Sequence, residues 1–266
     1  MNALIRMLAS PWPAHWGRAR KSSATMLSAT LLMVAVLWLG ALPLSWMPDP
    51  IGNNAIFYIE GVRTTVMLTV MAGLAGVVLG LLGALGKTSS IWPFRLVAGL
   101  YVWVVRGTPL IIQILFVTFA LPQIVPALRM TEFTSACVAL AINIGAYNAE
   151  AIRAGLLAVP KGQLEAARSL GLSQGWTFLD IVFPQAFKIA LPSLVNNVVG
   201  LLKDSSLAYS IGVVELTAVG NRIQSVTFLP VPTLTAAALI YLLLTTMMTL
   251  VSDAIERRFD VEGKLK

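Results

Sequence analysis

The chain contains one cysteine, one histidine and little charge. Only 12% of its 266 residues are Asp, Glu, Lys or Arg, about half the share found in soluble globular domains. A single Cys137 excludes a disulfide or a cysteine-based metal framework within the chain. The lone His15 leaves no material for a Ser-His hydrolase or a histidine-based metal site. We therefore expect no catalytic residues and no metal ligands here.

Long hydrophobic runs are the main feature of the sequence, and 57% of its residues are hydrophobic. Five or six of these runs approach the length of about 20 residues that a bilayer core requires. Isolated strands cannot satisfy their backbone groups in lipid, so the runs predict helices. The sequence thus predicts an all-α integral membrane protein. Its net charge of +7 is located in the loops and indicates topology rather than nucleic-acid binding.

Six membrane spans are expected, at about residues 25–46, 57–85, 107–124, 133–157, 181–202 and 231–254. Residues 91–105 predict a helix at the membrane interface, with Trp92 and Trp103 at headgroup depth. The first run follows a basic segment, as a secretory signal does, but residues 42–46 offer no small-x-small cleavage site. A retained first helix is therefore favoured. Six crossings place both termini on the cytoplasmic side.

The basic residues support this topology because they cluster in cytoplasmic loops of membrane proteins. Fifteen of the 19 fall on the predicted inner side, namely Arg6, Arg18, Arg20, Lys21, Lys87, Arg95, Arg106, Arg153, Lys161, Arg168, Lys188, Arg257, Arg258, Lys264 and Lys266. Arg63, Arg129, Lys203 and Arg222 fall outside or within the membrane. We divide the chain into a cytoplasmic segment (1–24), an N-terminal helix with an outside turn (25–56), a transmembrane domain (57–255) and a cytoplasmic tail (256–266).

The predicted cytoplasmic loop 161–184 is unusually well structured for a loop. Residues 161–170 predict a short amphipathic helix with Leu164, Ala167 and Leu170 on one side. Gly171 is placed to end it in a left-handed conformation. Ser173 can cap a second helix that enters the membrane at Trp176. An ordinary loop helix with a solvated face would explain the residues taken singly.

The spacing of this loop resembles the EAA motif by which permease subunits of bacterial ABC importers bind their ATPase. The pattern, EAA-x3-G-x9-I-x-x-P, is carried by Glu165, Ala166, Ala167, Gly171, Ile181 and Pro184, with Phe183 in place of the usual Leu. Residues 60–69, 106–113, 146–150, 159–162 and 201–207 are similar to the polar amino acid branch of these permeases. Members of that branch commonly have five spans, so the first helix is additional.

The resemblance implies a type I importer permease in a bacterial inner membrane, with residues 161–184 as its ATPase-coupling loop. It further implies a second permease subunit, identical or paralogous, two ATPase subunits that bind ATP and Mg, and an extracytoplasmic amino-acid-binding protein. The chain itself would hold no cofactor. An ion-coupled secondary transporter of a small polar solute is the alternative, although intramembrane carboxylates and an inverted repeat do not stand out. A membrane enzyme is a second rival that the missing nucleophile–base pair disfavours.

Polar residues inside the predicted spans have two interpretations. Gln113, Asn196 and Asn197 either line the substrate pathway or hydrogen-bond between helices. Residues 203–206 predict a helix break, with Asp204 or Ser205 capping a short helix that follows; Asp204 is also a candidate for the pathway. Glu150 and Arg153 predict an ion pair one turn apart, or a brace for the coupling loop.

Glycines near the end of the second span superficially suggest a phosphate-binding loop. From Gly80 to the Gly86-Lys87 pair there are five residues where the P-loop needs four, and no strand precedes them. Gly76-x-x-x-Gly80 instead predicts a glycine-rich helix face for close packing. ATP must therefore be bound by another chain.

Overall fold

The computed structural model of the chain describes residue 12 and residues 15–259. Predictions at Arg6, Lys264 and Lys266, and at parts of the two terminal segments, lie outside the described residues. The described part is almost entirely helical and contains no strand. Its helices, in chain order, are α1 (Arg18–Leu39), α2 (Ala41–Ser45), α3 (Ala55–Thr88), α4 (Trp92–Gly107), α5 (Leu110–Ile124), α6 (Glu132–Ala158), α7 (Lys161–Ser169), α8 (Phe183–Asp204), α9 (Leu216–Thr227) and α10 (Pro230–Phe259).

Five stretches of the described chain are long and apolar enough to cross a membrane: Arg20–Leu39, Gly52–Thr88, Glu132–Ala158, Gln174–Ile211 and Pro230–Phe259. A sixth is possible if α4 and α5, which meet at a bend of 112°, form one broken span. The prediction of an all-α membrane protein with about six transmembrane helices is confirmed. The helix predicted at 91–105 is present as α4. The second, third, fourth and sixth spans agree with prediction to within five residues, whereas the fifth stretch, Gln174–Ile211, extends beyond the predicted 181–202 at both ends.

The first span starts and stops earlier than expected. Helix α1 begins at Arg18 rather than near residue 25 and ends at Leu39, where Gly40 separates it from α2. Pro43 explains this interruption, because a proline lacks an N–H and its ring clashes with the carbonyl four residues earlier. The apolar run to Trp46 is therefore two helices. At the other end, α10 continues to Phe259, beyond the predicted 254.

The centre of the fold is a close, parallel contact between α3 and α6. Leu68 near the start of this contact packs with Ala136 and Ala139, while Ala84 near its end packs with Ile152. The sequence order is the same on both helices, so they run in one direction. Parallel neighbours need an intervening crossing, and the α4–α5 pair supplies it.

Buried glycines on α3 make this contact possible. A Cβ added at Gly76 would overlap the Ile144 side chain, and one added at Gly80 would lie 2.5 Å from Cβ of Asn148. Gly83 likewise faces Cβ of Ala149 at 2.9 Å. These three glycines lie on one face of α3 and let the two backbones approach. The predicted glycine packing face is confirmed.

Helix α4 packs across the last turns of α3 and the middle of α6. Gly86 of α3 is tightly approached by Ala98, and the hydroxyl of Tyr101 donates to the Ile142 carbonyl at 2.7 Å. At the bend, Gln113 donates to the carbonyls of Val105 and Thr108 at 2.7 and 3.1 Å. These bonds satisfy carbonyls freed by the helix break, as backbone at membrane depth requires.

The outer flank of the bundle is formed by α1, which packs mainly on α10 and also touches α3. Ser22 donates to the carbonyl of Ala254, and Arg63 of α3 donates to the carbonyl of Leu37 at 2.9 Å. The opposite face of α1 is apolar and exposed, including Leu31 and Trp38. That face suits lipid contact.

A buried carboxylate anchors the short helix α9 at the end of the bundle where α3 and α10 begin. Glu215 is fully buried and accepts hydrogen bonds from the backbone N–H groups of Thr217 and Ala218 at 2.9 and 2.8 Å. Tyr241 of α10 donates to the same carboxylate at 2.7 Å. Burial raises the pKa of the Glu215 carboxyl, and these donors oppose the rise. The amino-acid composition does not indicate that Glu215 is buried and paired in this way.

Replacing Gly76 with Val should weaken the α3–α6 contact. The added side chain overlaps Ile144, and overpacking of this kind costs about 1–3 kcal/mol. The matched control is Ala75→Val, which adds similar bulk one residue earlier at an exposed position. Thermal unfolding of the purified variants should show a lowered midpoint for Gly76→Val only; equal midpoints would contradict the packing role of the glycine face.

Candidate functional site

The loop predicted to couple to a partner forms a helix–glycine–helix elbow. Helix α7 ends at Ser169, and Gly171 adopts φ +74°, in the left-handed region. The N–H of Leu172 bonds to the carbonyl of Ala167 at 3.1 Å, and the N–H of Gly171 bonds to that of Arg168 at 2.9 Å. This pair of bonds defines a Schellman motif, which rigidly terminates a helix. The predicted backbone role of Gly171 is confirmed.

The second arm of the elbow also begins as predicted. Ser173 accepts a hydrogen bond from the N–H of Trp176 at 3.4 Å and so caps the next turn. A π-helical segment, Thr177–Val182, then leads into α8, with Pro184 in its first turn. Pro184 lacks an N–H and follows this π-helical segment within a continuous helical stretch, so the widened turn accommodates the proline ring.

The motif residues are distributed over two faces of the elbow. Glu165, Ala166, Gly171 and Pro184 are exposed, whereas Ile181 is half-buried and Ala167 is 1% exposed. Ala167 therefore packs within its own chain, while Glu165 and Ala166 remain accessible to a partner. Leu170 differs from expectation: it was assigned to the packed side of α7 but is 80% exposed. The Schellman turn carries it away from the helix face that holds Leu164.

Helices α6 and α8 hold the elbow from both sides. Val159, which follows α6, packs with Val182 and Ala186, and Leu164 of α7 joins this cluster. A Cβ on Gly155 would overlap the backbone carbonyl of Ala186, so the two helices approach closely here. The elbow is thus the tip of an α6–α7–α8 hairpin.

An ionic cluster fastens α3 to this hairpin. Glu150 of α6 pairs with Arg153 one turn later at 2.8 Å and also with Lys87 in the last turn of α3. The side chains of Lys87 and Glu150 are 24% and 19% exposed. The predicted ion pair between Glu150 and Arg153 is confirmed, and Lys87 extends it into a link between α3 and α6. A role of this cluster as a brace for the coupling loop stays a prediction. The contribution of Lys87 was not recognised from the sequence.

The four candidate pathway residues are separated by the structure. Gln113 closes the bend between α4 and α5 and accepts a hydrogen bond from Asn143 at 3.0 Å. Asn197 donates to Asn148 of α6 at 2.9 Å. Both therefore make interhelical hydrogen bonds. Asn196 and Asp204 are exposed on α8, and these two retain the possibility of lining a pathway.

The helix break predicted at residues 203–206 is present only as a change of helix type, and the predicted capping role of Asp204 or Ser205 is wrong. Helix α8 tightens without interruption into a 3-10 segment, Ser205–Ile211, that ends at Gly212 with φ +94°. Neither Asp204 nor Ser205 caps a new helix: the Asp204 side chain makes no capping bond, and Ser205 donates back to the carbonyl of Leu202. The backbone hydrogen bonds continue through these polar residues because each helical turn pairs its own N–H and carbonyl groups.

Asn148 was missed as a site residue. It is fully buried, it receives the bond from Asn197, and its own Nδ2 has no hydrogen-bond partner within the described chain. The sequence feature that could have indicated its role is its position within residues 146–150, next to small residues. The pair joins the two arms of the hairpin through their buried faces.

Replacing Asn197 with Leu should destabilise the bundle because it leaves the Asn148 amide wholly unpaired. An orphaned buried polar group costs about 1–3 kcal/mol. Asn196→Leu, one residue away and exposed, is the control and should change stability by less than about 0.5 kcal/mol. Denaturation of both purified variants measures the difference. Equal losses would mean that the Asn148–Asn197 bond does not stabilise the fold.

Comparison with known proteins gives consistent matches. A family model described as "Binding-protein-dependent transport system inner membrane component" matches residues 76–261. The arginine transport system permease protein ArtQ of Bacillus subtilis is 37% identical over 202 residues, covering 76% of this chain and 92% of that protein. The glutamine transport system permease protein GlnP of Escherichia coli is 37% identical over 203 residues, covering 76% and 93%.

Solved structures agree with these matches. The chain resembles one in a crystal structure of an amino acid ABC transporter with histidines, with 41% identity and a TM-score of 0.72, covering 77% of this chain and 95% of that one. A chain of the MetNI methionine ABC transporter in an inward-facing conformation is 20% identical with a TM-score of 0.69, covering 80% and 99%. That second likeness concerns the fold alone.

Proposed function

The chain belongs to the family of binding-protein-dependent transport system inner membrane components, and from that membership we propose its role in detail. It is the membrane-spanning permease subunit of an ABC importer that carries a polar amino acid. The relatives named above are permeases for arginine and for glutamine. The family membership and the elbow favour this function over the ion-coupled secondary transporter considered from sequence.

The observation that carries the mechanism is the exposed, rigid elbow at the tip of the α6–α7–α8 hairpin. Glu165 and Ala166 present a carboxylate and a small surface, and Leu170 adds an exposed apolar side chain beside them. An apolar anchor next to a charge is typical of a protein contact. We assign this surface to the groove of an ATPase subunit, which binds ATP and Mg in place of this chain.

Movement of the elbow would be transmitted through the contacts already described. The Schellman turn fixes α7 relative to the chain after it, the Val159 cluster fixes it to α6 and α8, and the Lys87–Glu150 pair extends the unit to α3. When the paired ATPases close, the hairpin and α3 would tilt together. Such a rigid-body shift would alternate the access of the pathway between the two sides.

A second permease subunit, identical or paralogous, is proposed to face α8. Asn196 and Lys203 are exposed on this membrane-length helix, as is Asp204 at its end. Polar side chains are unfavourable against lipid and favour a water-filled cavity or a protein partner. An extracytoplasmic amino-acid-binding protein would deliver substrate to the opposite end from the elbow, where α3 and α10 begin.

Both termini are proposed to lie in the cytoplasm, with the elbow. Arg258 near the end of α10 donates to Ser23 near the start of α1 at 3.5 Å, so these helix ends are on one side. Tyr58 of α3 donates to the carbonyl of Thr233 at the start of α10, which makes α3 and α10 parallel. The C-terminal ends of α3 and α10 thus lie on the same side of the membrane. That side carries most of the basic residues, and the positive-inside rule assigns it to the cytoplasm.

Gly171→Val should uncouple the permease from its ATPase. Nothing lies within 4 Å of a Cβ added there, so the effect comes from the left-handed backbone, where a β-branched residue costs about 1–3 kcal/mol. Gly171→Asn is the control, because Asn tolerates this conformation. We expect Val, but not Asn, to reduce ATPase co-purification or uptake at unchanged membrane abundance, and Glu165→Lys to do the same by reversing charge.

Normal uptake in both Gly171→Val and Glu165→Lys would remove the elbow from the coupling mechanism. The family membership would stand in that case, since it rests on the matched residues rather than on this surface.

Uptake assays should separate Asn196 from Asn197. Asn196→Leu leaves the interhelical bonds intact and is expected to change the affinity or selectivity for labelled amino acids, tested as a competing panel. Asn197→Leu is expected to lower the amount of folded permease rather than its selectivity. Unchanged competition profiles in Asn196→Leu would exclude that residue from the pathway.

Thiol labelling in intact cells tests the orientation. In a Cys137→Ser background, a cysteine at Gln174 in the elbow should resist impermeant reagents, because it faces the cytoplasm. A cysteine at Arg129, exposed in the loop between α5 and α6, should react. The reverse pattern would invert the topology.

A further inference from the structure

Helix α4 carries a groove that includes neither the coupling elbow nor the candidate pathway residues. It has a volume of about 430 Å³ and is lined by Trp92, Arg95, Leu96, Gly99, Leu100 and Trp103; we refer to it as the α4 groove. Ala98, Val102 and Val105 lie on the other face of the helix and are buried against its neighbours. The α4 groove therefore faces away from the bundle.

The α4 groove is shallow and open, because all the residues that line it belong to one face of α4, and its surface is mainly apolar. Gly99 forms its floor, where an added Cβ would meet no atom within 4 Å. Leu96 and Leu100 flank this floor and are about half exposed. Trp92 and Trp103, 65% and 74% exposed, stand at the two ends. Indole rings in such positions favour the headgroup region of a bilayer.

A cation lies within this otherwise apolar surface. Arg95 is exposed and donates one hydrogen bond, to the carbonyl of Ser89 at 3.2 Å. Within the part of the chain that the structure describes, no carboxylate pairs with Arg95. A guanidinium group has five N–H donors in a planar fork. The remaining donors match the oxygen atoms of a phosphate group, which arginine binds with two parallel bonds.

We propose that the α4 groove binds an anionic glycerophospholipid of the inner leaflet. The phosphate contacts Arg95, and one acyl chain lies over Gly99 between Leu96 and Leu100. Basic pockets beside membrane helices on the cytoplasmic side bind such headgroups. The choice of leaflet uses the orientation given above, but the site does not depend on which solute the permease carries.

A second copy of this chain fits the α4 groove less well. In a two-fold contact whose axis passes near Arg95, this residue meets its own counterpart. Arg95 would then face Arg95 of the other copy, and like charges in an apolar contact are unfavourable. An anionic lipid neutralises the guanidinium instead.

Retention of lipid by the purified permease complex tests the site. The complex is placed in nanodiscs of phosphatidylcholine with a minority of phosphatidylglycerol, extracted, and its bound lipids are counted by mass spectrometry. We expect wild type to retain phosphatidylglycerol preferentially. Arg95→Gln should lower that retention about fivefold, the effect of one basic side chain at an anionic surface. Gly99→Leu should lower retention of both lipids because it fills the floor.

Two control variants separate the site from general effects. Arg129→Gln makes the same change of charge in the loop between α5 and α6, and Val97→Leu enlarges a neighbouring exposed residue of α4 outside the groove. Both should retain lipid as wild type does. Unchanged phosphatidylglycerol retention in Arg95→Gln overturns the proposal. Disulfide formation between two copies of Gly99→Cys, in a Cys137→Ser background, overturns it in favour of a protein interface.

Discussion

The close contact of α3 and α6 sets the positions of the other helices. In lipid there is no hydrophobic force between helices, so their association depends on dense packing and on polar bonds. Gly76, Gly80 and Gly83 bring the two backbones together over several turns. Because these helices are parallel, the chain between them must cross back, and α4 and α5 make that crossing with a bend that Gln113 closes. The glycine face of α3 thus determines how the helices of the domain are arranged.

Polar bonds then connect this pair to the α6–α7–α8 hairpin that carries the elbow. Asn148–Asn197 joins α6 to α8 within the bundle, and Glu150 joins α6 to Lys87 of α3 near the elbow. Each bond places a polar side chain where the surrounding residues are apolar, so the loss of one partner leaves the other poorly satisfied. The helices next to the elbow are therefore held as a unit, which suits a lever that transmits a push from a partner.

The surfaces of the bundle differ in a way that assigns them different surroundings. Helix α1 exposes leucine and tryptophan and covers α10 on the lipid side. Helix α8 exposes Asn196 and Lys203 and suits a water-filled pathway or a second subunit. Between these extremes, α4 combines an arginine with an apolar groove, which is the chemistry of a lipid headgroup and its chain. The additional helix α1 lies before the residues matched by the family model, and its bonds to α10 and α3 indicate a bracing role.

The sequence by itself determined the helical membrane architecture, most of the spans, the glycine face and the φ of Gly171. These features depend on local composition and spacing, because apolar length specifies a span and a left-handed helix end specifies glycine. Only the tertiary structure decided which polar residues are paired. Asn196 and Asn197 are neighbours with the same side chain, yet one is exposed and the other bonds to Asn148, 49 positions earlier in the chain. Lys87, Glu215 and the exposed Leu170 were unpredictable for the same reason. A side chain's partner depends on how the helices are rotated and packed against one another, and that rotation is set by distant contacts.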